Sequence, residues 1–229
     1  KSYSFISALF KDKKINSYIL LSTVPARFYG KEHINLANSI KKILVDFHFH
    51  DVGILIRVHP MDHTNYSEFD EDDHITVDYF GSNKAESRET ALDKWFPTEE
   101  NISHLKASIT NASICINVAS TITLEAALCG KKVLNIGYFQ EKSNYKEYGN
   151  PNRFYAYTHY RPVVEKKLAE VILSEVQLTE AIVKFLKPQY FYNEKVFRSA
   201  REFLGADGQN AALKIADKIQ KLIETESKN

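Results

Sequence analysis

Residues 113–138, SICINVASTITLEAALCGKKVLNIGY, decide the fold. SICINV (113–118) is a short, continuously apolar run that reads as a buried strand and ends in Ala119-Ser120-Thr121. ITLEAALC (122–129) reads as a helix, and Gly130 stands where a helix commonly terminates. KVLNIGY (132–138) returns to a strand. The same alternation continues on the N-terminal side. SYILLS (17–22) is a strand that stops at Thr23-Val24-Pro25. Ile34, Ala37, Ile40, Leu44 and Phe47 recur at helical spacing over 33–49. GILIRV (53–58) is a strand closed by His59-Pro60, and HITVDYF (74–80) follows a polar, acidic loop. Ile102, Leu105 and Ile109 mark a helix over 101–111, with Asn101 as its cap. Apolar strands alternating with helices imply a parallel sheet covered on both faces. The expected fold is α/β: a Rossmann-like parallel sheet of about five strands with a helical C-terminal extension.

That extension follows a Tyr-rich loop (138–162), in which Tyr138, Tyr145, His159 and Arg161 are candidates to line a cleft. Helices are expected at 163–173, 176–187, 193–203 and 209–224, the last with Ala212, Ile215, Ala216, Ile219, Leu222 and Ile223 on one face. The expected organisation is a linker or helix over 1–14, a Rossmann-like domain over 15–162, and helices over 163–229 packed on that same domain.

The chain has 229 residues, 44% hydrophobic and 26% charged, which suits one or at most two compact domains. Thirty basic against 29 acidic residues argue against a nucleic-acid partner. No apolar run approaches the roughly 20 residues that span a bilayer. The start, KSYSFISALF, has neither the features of a signal peptide nor an initiator Met, which points to a trimmed parent chain. Cys115 and Cys129 both lie in apolar stretches, so the expectation is two free thiols in a reducing cytosol.

In an open parallel sheet, ligands bind outside the carboxyl ends of the strands. Three features fall there: Thr23 to Arg27, then Arg57-Val58-His59-Pro60, then Ala119-Ser120-Thr121 leading to Glu125. Ser120, Thr121 and Thr123 open a helix, whose unpaired amides suit a phosphate, although the same residues serve widely as N-caps. Glu125, one turn beyond Thr121, could accept hydrogen bonds from a ribose diol or stand as a solvated helix residue. His59 could donate to a phosphate oxygen or simply cap the turn before Pro60. No GxGxxG, Walker loop, HExxH or GxSxG is present, and the eight histidines form no convincing metal ligand set. The run Asp70 to Asp73 reads as a solvated loop. No cofactor is implied.

Taken together, RVHP, NVASTITLEAALCGKKVLNIGY and the late DGQNAALKIADKI resemble the C-terminal, donor-binding half of a GT-B glycosyltransferase over roughly residues 15–224. The HP and Ser-Thr motifs are similar to those of bacterial sialyltransferases, Kdo transferases and CDP-glycerol transferases. The resemblance implies a catalytic His59 and donor contacts from Ser120, Thr121, Thr123 and Glu125, with Thr23 and Arg57 beside them. It further implies a nucleotide-sugar donor (CMP-, CDP- or UDP-linked, cytidine favoured) and a glycan or lipid-linked acceptor. The setting would be cytoplasmic or peripheral at the inner membrane face, in surface-polysaccharide synthesis. An acceptor domain preceding this chain would carry the base, since the acidic motif that supplies it has no match here. UDP-GlcNAc 2-epimerases share the architecture and a similar terminal helix.

Overall fold

Ser17–Ser22 (β1) and Val52–Arg57 (β2) are buried almost end to end, as strands covered on both faces must be. They pair in parallel with Leu20 opposite Leu55, and β1 pairs on its other side with Ile114–Asn117 (β4), placing Leu20 opposite Cys115. The computed structural model describes residues 2–11, 14–79, 98–187, 192–205 and 216–221. Among them lie Ile75–Asp78 (β3), Lys132–Ile136 (β5) and Glu170–Ile172 (β6), which complete a parallel six-stranded sheet of order β3-β2-β1-β4-β5-β6. This is the Rossmann-like strand order, and its switch point falls between β1 and β4.

Alternate side chains of each strand enter different layers. Ile19, Leu21, Ile54, Ile56, Ile114 and Ile116 pack under the helices Glu32–Asp46 (α3) and Glu175–Phe185 (α8). Tyr18, Leu20, Leu55 and Cys115 face the other way, against Ser2–Leu9 (α1), Glu99–Asn111 (α4) and Ile122–Leu128 (α5). Gly53 lacks the Cβ that would strike the Phe10 ring, so the chain after α1 lies flush on the sheet. Glu194–Phe203 (α9) packs on α5, with Ala127 and Ala200 fully buried between them. No described helix is long and apolar enough to cross a membrane.

The helix α3 stops at Asp46, short of the expected 49, because His48 takes φ 62° and closes a Schellman turn. Phe49 N–H donates to Leu44 O (2.8 Å) and His48 N–H to Val45 O (3.1 Å), leaving Phe47 47% exposed instead of on the apolar stripe. The cap of α4 is Thr98, whose hydroxyl accepts from Asn101 N–H (3.2 Å). Asn101, read as the cap, instead closes the capping box from inside the helix, its Oδ1 accepting from Thr98 N–H at 2.9 Å.

The expected helix over 163–173 is replaced by a short helix, Arg161–Glu165 (α7), and then β6. Lys167 at φ 55° terminates α7, with Lys167 N–H on Val164 O (2.9 Å) and Leu168 N–H on Val163 O (3.0 Å). The freed chain adds the sixth strand where about five were expected, pairing Asn135 with Val171. Residues 216–221 are helical, while the remainder of the expected 209–224 helix and Phe80 lie outside the described residues.

Gly130 ends α5 as expected, at φ 67°, with Gly130 N–H on Ala127 O (2.9 Å) and Lys131 N–H on Ala126 O (3.0 Å). An added Cβ would also strike the ring of Tyr192. Gly130→Ala is therefore expected to destabilise the protein by about 1–2 kcal/mol, mostly through the left-handed φ. An unchanged urea midpoint would show that the turn relaxes without strain.

Candidate functional site

β4 leads into α5 through a turn in which Ala119 holds φ 43°, a conformation that L residues rarely adopt. A buried polar frame stabilises it. Asn117 Oδ1 accepts from Ser120 N–H (3.1 Å) and lies 3.1 Å from Thr123 Oγ1. Thr123 Oγ1 also lies 3.0 Å from Asn135 Oδ1 and accepts from the Tyr160 hydroxyl at 2.9 Å. Thr123 is fully buried, so it supports the turn from behind and does not line the cavity; the expectation of a donor contact does not hold for it. Ser120 and Thr121 are different. Thr121 occupies the N-cap position without a side-chain capping bond, and neither hydroxyl has a protein partner among the described residues. The capping role that competed with a binding role is thus not the one the structure uses.

These residues border a cavity of about 330 Å³ at the switch point. Ser120, Thr121 and Glu125 line it from the α5 side, and Thr23, Arg57 and His59 from the ends of β1 and β2. The Thr23 hydroxyl oxygen accepts from His59 N–H (2.8 Å), which ties the two strand ends together. Met61 N–H donates to His59 Nδ1 (3.0 Å), so the neutral ring carries its proton on Nε2. Nε2 has no protein partner among the described residues. Burial holds the His59 pKa below the ordinary histidine value, against the opposing pull of Asp62. The ring is a neutral donor around pH 7.

Arg57 is engaged by its neighbours: Nη1 donates to Asp78 Oδ2 (2.8 Å) and lies 2.9 Å from His104 Nδ1. It meets a carboxylate while bordering the cavity. Solvent reaches Glu125, yet the surrounding walls raise its carboxyl pKa, and Arg57 pulls it back. Asn101, Ile102 and Leu105 of α4 close the far wall. Ile102, read as marking this helix, is 56% exposed and borders the cleft. Its apolar spacing gave no sign of that, because the first turn of an amphipathic stripe looks the same whether it meets a core or a cleft.

A second cavity, of about 550 Å³, adjoins the first; His59 and Ser120 belong to both. Of the loop residues expected at a cleft, His159 lines it. Tyr138 is buried in the core, Tyr145 accepts from Phe139 N–H (3.0 Å), and Arg161 pairs with Glu165 (3.4 Å). Phe28, Phe154 and Tyr157 line this cavity and carried no signal in the sequence beyond being aromatic. Among the described residues, no group of three His, Cys, Asp or Glu side chains converges as metal ligands.

No family model and no curated protein matches the sequence. Solved structures do. The wall teichoic acid polymerase TagF is 18% identical with a TM-score of 0.52, the match covering 98% of this chain and 48% of that one. The fold is that of one half of a GT-B-type architecture. A glycotransferase of kitacinnamycin gives 14% identity and a TM-score of 0.53, over 92% of this chain and 44% of its own. A UDP-GlcNAc 2-epimerase from Methanocaldococcus jannaschii gives 13% and 0.46, over 89% and 48%, a weaker likeness from which nothing follows. The chain spans about half the length of these structures. At such identities the GT-B likeness establishes the fold alone, and the chemistry has to come from the cavity.

Proposed function

We propose that this chain is the nucleotide-sugar donor domain of a glycosyltransferase of surface-polysaccharide synthesis. The observation that carries the reading is the convergence of Thr23, Arg57, His59, Ser120, Thr121 and Glu125 on one cavity at the switch point. The apolar edge formed by Ile102 and Leu105 suits a nucleobase. Glu125, one turn along α5 from Thr121, is placed to accept from a ribose diol. The two uncommitted hydroxyls and the His59 Nε2–H are donors for phosphate oxygens. With only seven residues, α5 adds little dipole, so side-chain donors carry the phosphate.

In transfer, the acceptor oxygen attacks the anomeric carbon, the bond to the donor phosphate breaks, and the nucleotide leaves with the electron pair. His59, Ser120 and Thr121 stabilise the charge that develops on the phosphate. The acceptor proton goes to a base on a separate acceptor domain, with a glycan or lipid-linked glycan as acceptor at the inner membrane face. A cytidine nucleotide is favoured, which a neighbouring TagF structure soaked with CDPG supports. An epimerase would need several carboxylates in the cleft, and among the described residues lining the first cavity Glu125 is the one carboxylate.

Calorimetric titration with CMP, CDP, UDP, GDP and ADP tests this. CMP or CDP is expected to bind best, and His59→Ala and Glu125→Ala each to weaken binding about tenfold while the melting temperature holds. Preference for UDP would move the reading to a UDP-sugar. Absence of binding to any of the five, in a folded protein, would overturn it.

A further inference from the structure

The second cavity has a wall unlike the first. Phe28 meets Phe154 edge to face at 5.8 Å, Tyr157 meets Phe154 edge-on at 5.8 Å, and His159 stands 5.8 Å from Tyr157. Guanidinium groups lie over two of these rings, Arg27 4.6 Å from the Phe28 centroid and Arg153, which also lines the cavity, 4.5 Å from that of Phe154. Arg153 is itself held by Tyr148 O (2.6 Å) and Asn150 O (3.2 Å), so the Phe154 ring has a fixed cationic neighbour. Tyr157 nevertheless remains 43% exposed. An aromatic ring left open to water inside a concavity suits a ligand face, since packing would otherwise have covered it.

Position states what that ligand is attached to. His59 and Ser120 line both cavities, and they are the residues assigned above to the donor phosphate. Whatever extends past the phosphate enters the aromatic cavity. We propose that this cavity is a subsite for a pyranose ring, seated with its C–H face on the exposed ring of Tyr157, which Phe154 holds edge to face. Aromatic faces carry negative quadrupole potential and attract the weakly positive axial C–H groups of a sugar. The hydroxyls on the ring edge then meet His159 and the cavity mouth. An acyclic polyol in the same place has no flat C–H face and would leave the Tyr157 ring bare. The inference rests on the nucleotide reading of the first cavity and narrows it to a cyclic sugar as the transferred group.

Calorimetry with three probes separates the two layers: CDP, CDP-glucose and CDP-glycerol, or the uridine series if the base screen selects UDP. CDP-glucose is expected to bind about tenfold tighter than CDP, and CDP-glycerol no tighter than CDP. Phe154→Ala and Tyr157→Ala should each abolish the gain for CDP-glucose while leaving CDP affinity within about twofold. Tyr157, being exposed, gives a readout that folding does not confound. If CDP binds but CDP-glycerol gains as much as CDP-glucose, or the gain survives both substitutions, the sugar subsite is wrong and the nucleotide site stands. If neither nucleotide binds, the nucleotide reading fails and the subsite with it.

Discussion

Replacing Glu32 by alanine is expected to destabilise the protein by about 3–5 kcal/mol, the largest effect of any single substitution argued from this structure. Glu32 opens α3 and is fully buried. Its two oxygens accept from Gln140 N–H (2.8 Å), Glu141 N–H (3.2 Å), Asn144 Nδ2 (2.5 Å) and Asn35 Nδ2 (3.2 Å). It is therefore the acceptor around which the segment after β5 folds onto α3. Truncation leaves those half-buried donors without their charged acceptor, and the cost of donors left unsatisfied exceeds the net worth of the bonds themselves. Glu32→Gln should recover only part of the loss, because its amide offers two hydrogens to groups that need acceptors. Urea unfolding measures this, and a loss below about 1 kcal/mol would mean that water reaches the site and replaces the carboxylate.

Acid is expected to weaken the protein through His33. The ring is fully buried, and Nε2 accepts from Val24 N–H (3.2 Å), so the neutral ring carries its proton on Nδ1. Nδ1 lies 3.9 Å from Asp62 Oδ2, too far for a hydrogen bond. Asp62 is occupied by the Tyr66 hydroxyl (2.7 Å) and Thr64 N–H (3.0 Å). Burial pulls the His33 pKa down to about 4 from 6.5, and Asp62 and the Gly30 backbone only partly counter it while His59 adds to the lowering. The unfolded chain thus binds a proton that the folded one refuses. Stability is fully present above about pH 6.5 and falls as pH drops through the window to about 4, for a total near 3 kcal/mol. Protonation would also break the bond to Val24, the residue after Thr23, so the β1 end of the site loosens first. Urea midpoints measured across that window should fall in the natural protein and stay nearly flat in His33→Phe. A flat profile in both would assign the neutral form of His33 no part in acid sensitivity.

Strands announced themselves because a strand covered on both faces must be apolar throughout, as SYILLS, GILIRV and SICINV are. β6 escaped because Glu170–Ile172 is three residues long and follows a left-handed turn at Lys167, where no glycine marks it. Strand ends likewise placed most of the site. Thr23, His59 and Ser120 border the cavity because each follows an apolar run, a position that topology fixes once the sheet is parallel. Thr123 misleads for a geometric reason: two residues along a helix is about 200° of rotation, so it faces the sheet while Thr121 faces the cavity. Glu125, four residues from Thr121, comes back to within about 40° of it. The aromatic wall was beyond reach, because Phe28 and Phe154 meet only once the chain has folded.

The strand order has a kinetic side. β3, β2 and β1 are neighbours through short connections, whereas β1 meets β4 only after the long excursion from Leu20 to Cys115. Loop-closure entropy makes that pairing the slow, late event. Thr23 and His59 belong to the side that assembles early, and Ser120, Thr121 and Glu125 to the side that docks afterwards. A molecule spanning the cavity stitches across this seam. It holds the docked half in place, and at free concentration L raises the resistance of the native state to opening there by RT ln(1 + L/Kd), so the seam tightens as the ligand concentration rises.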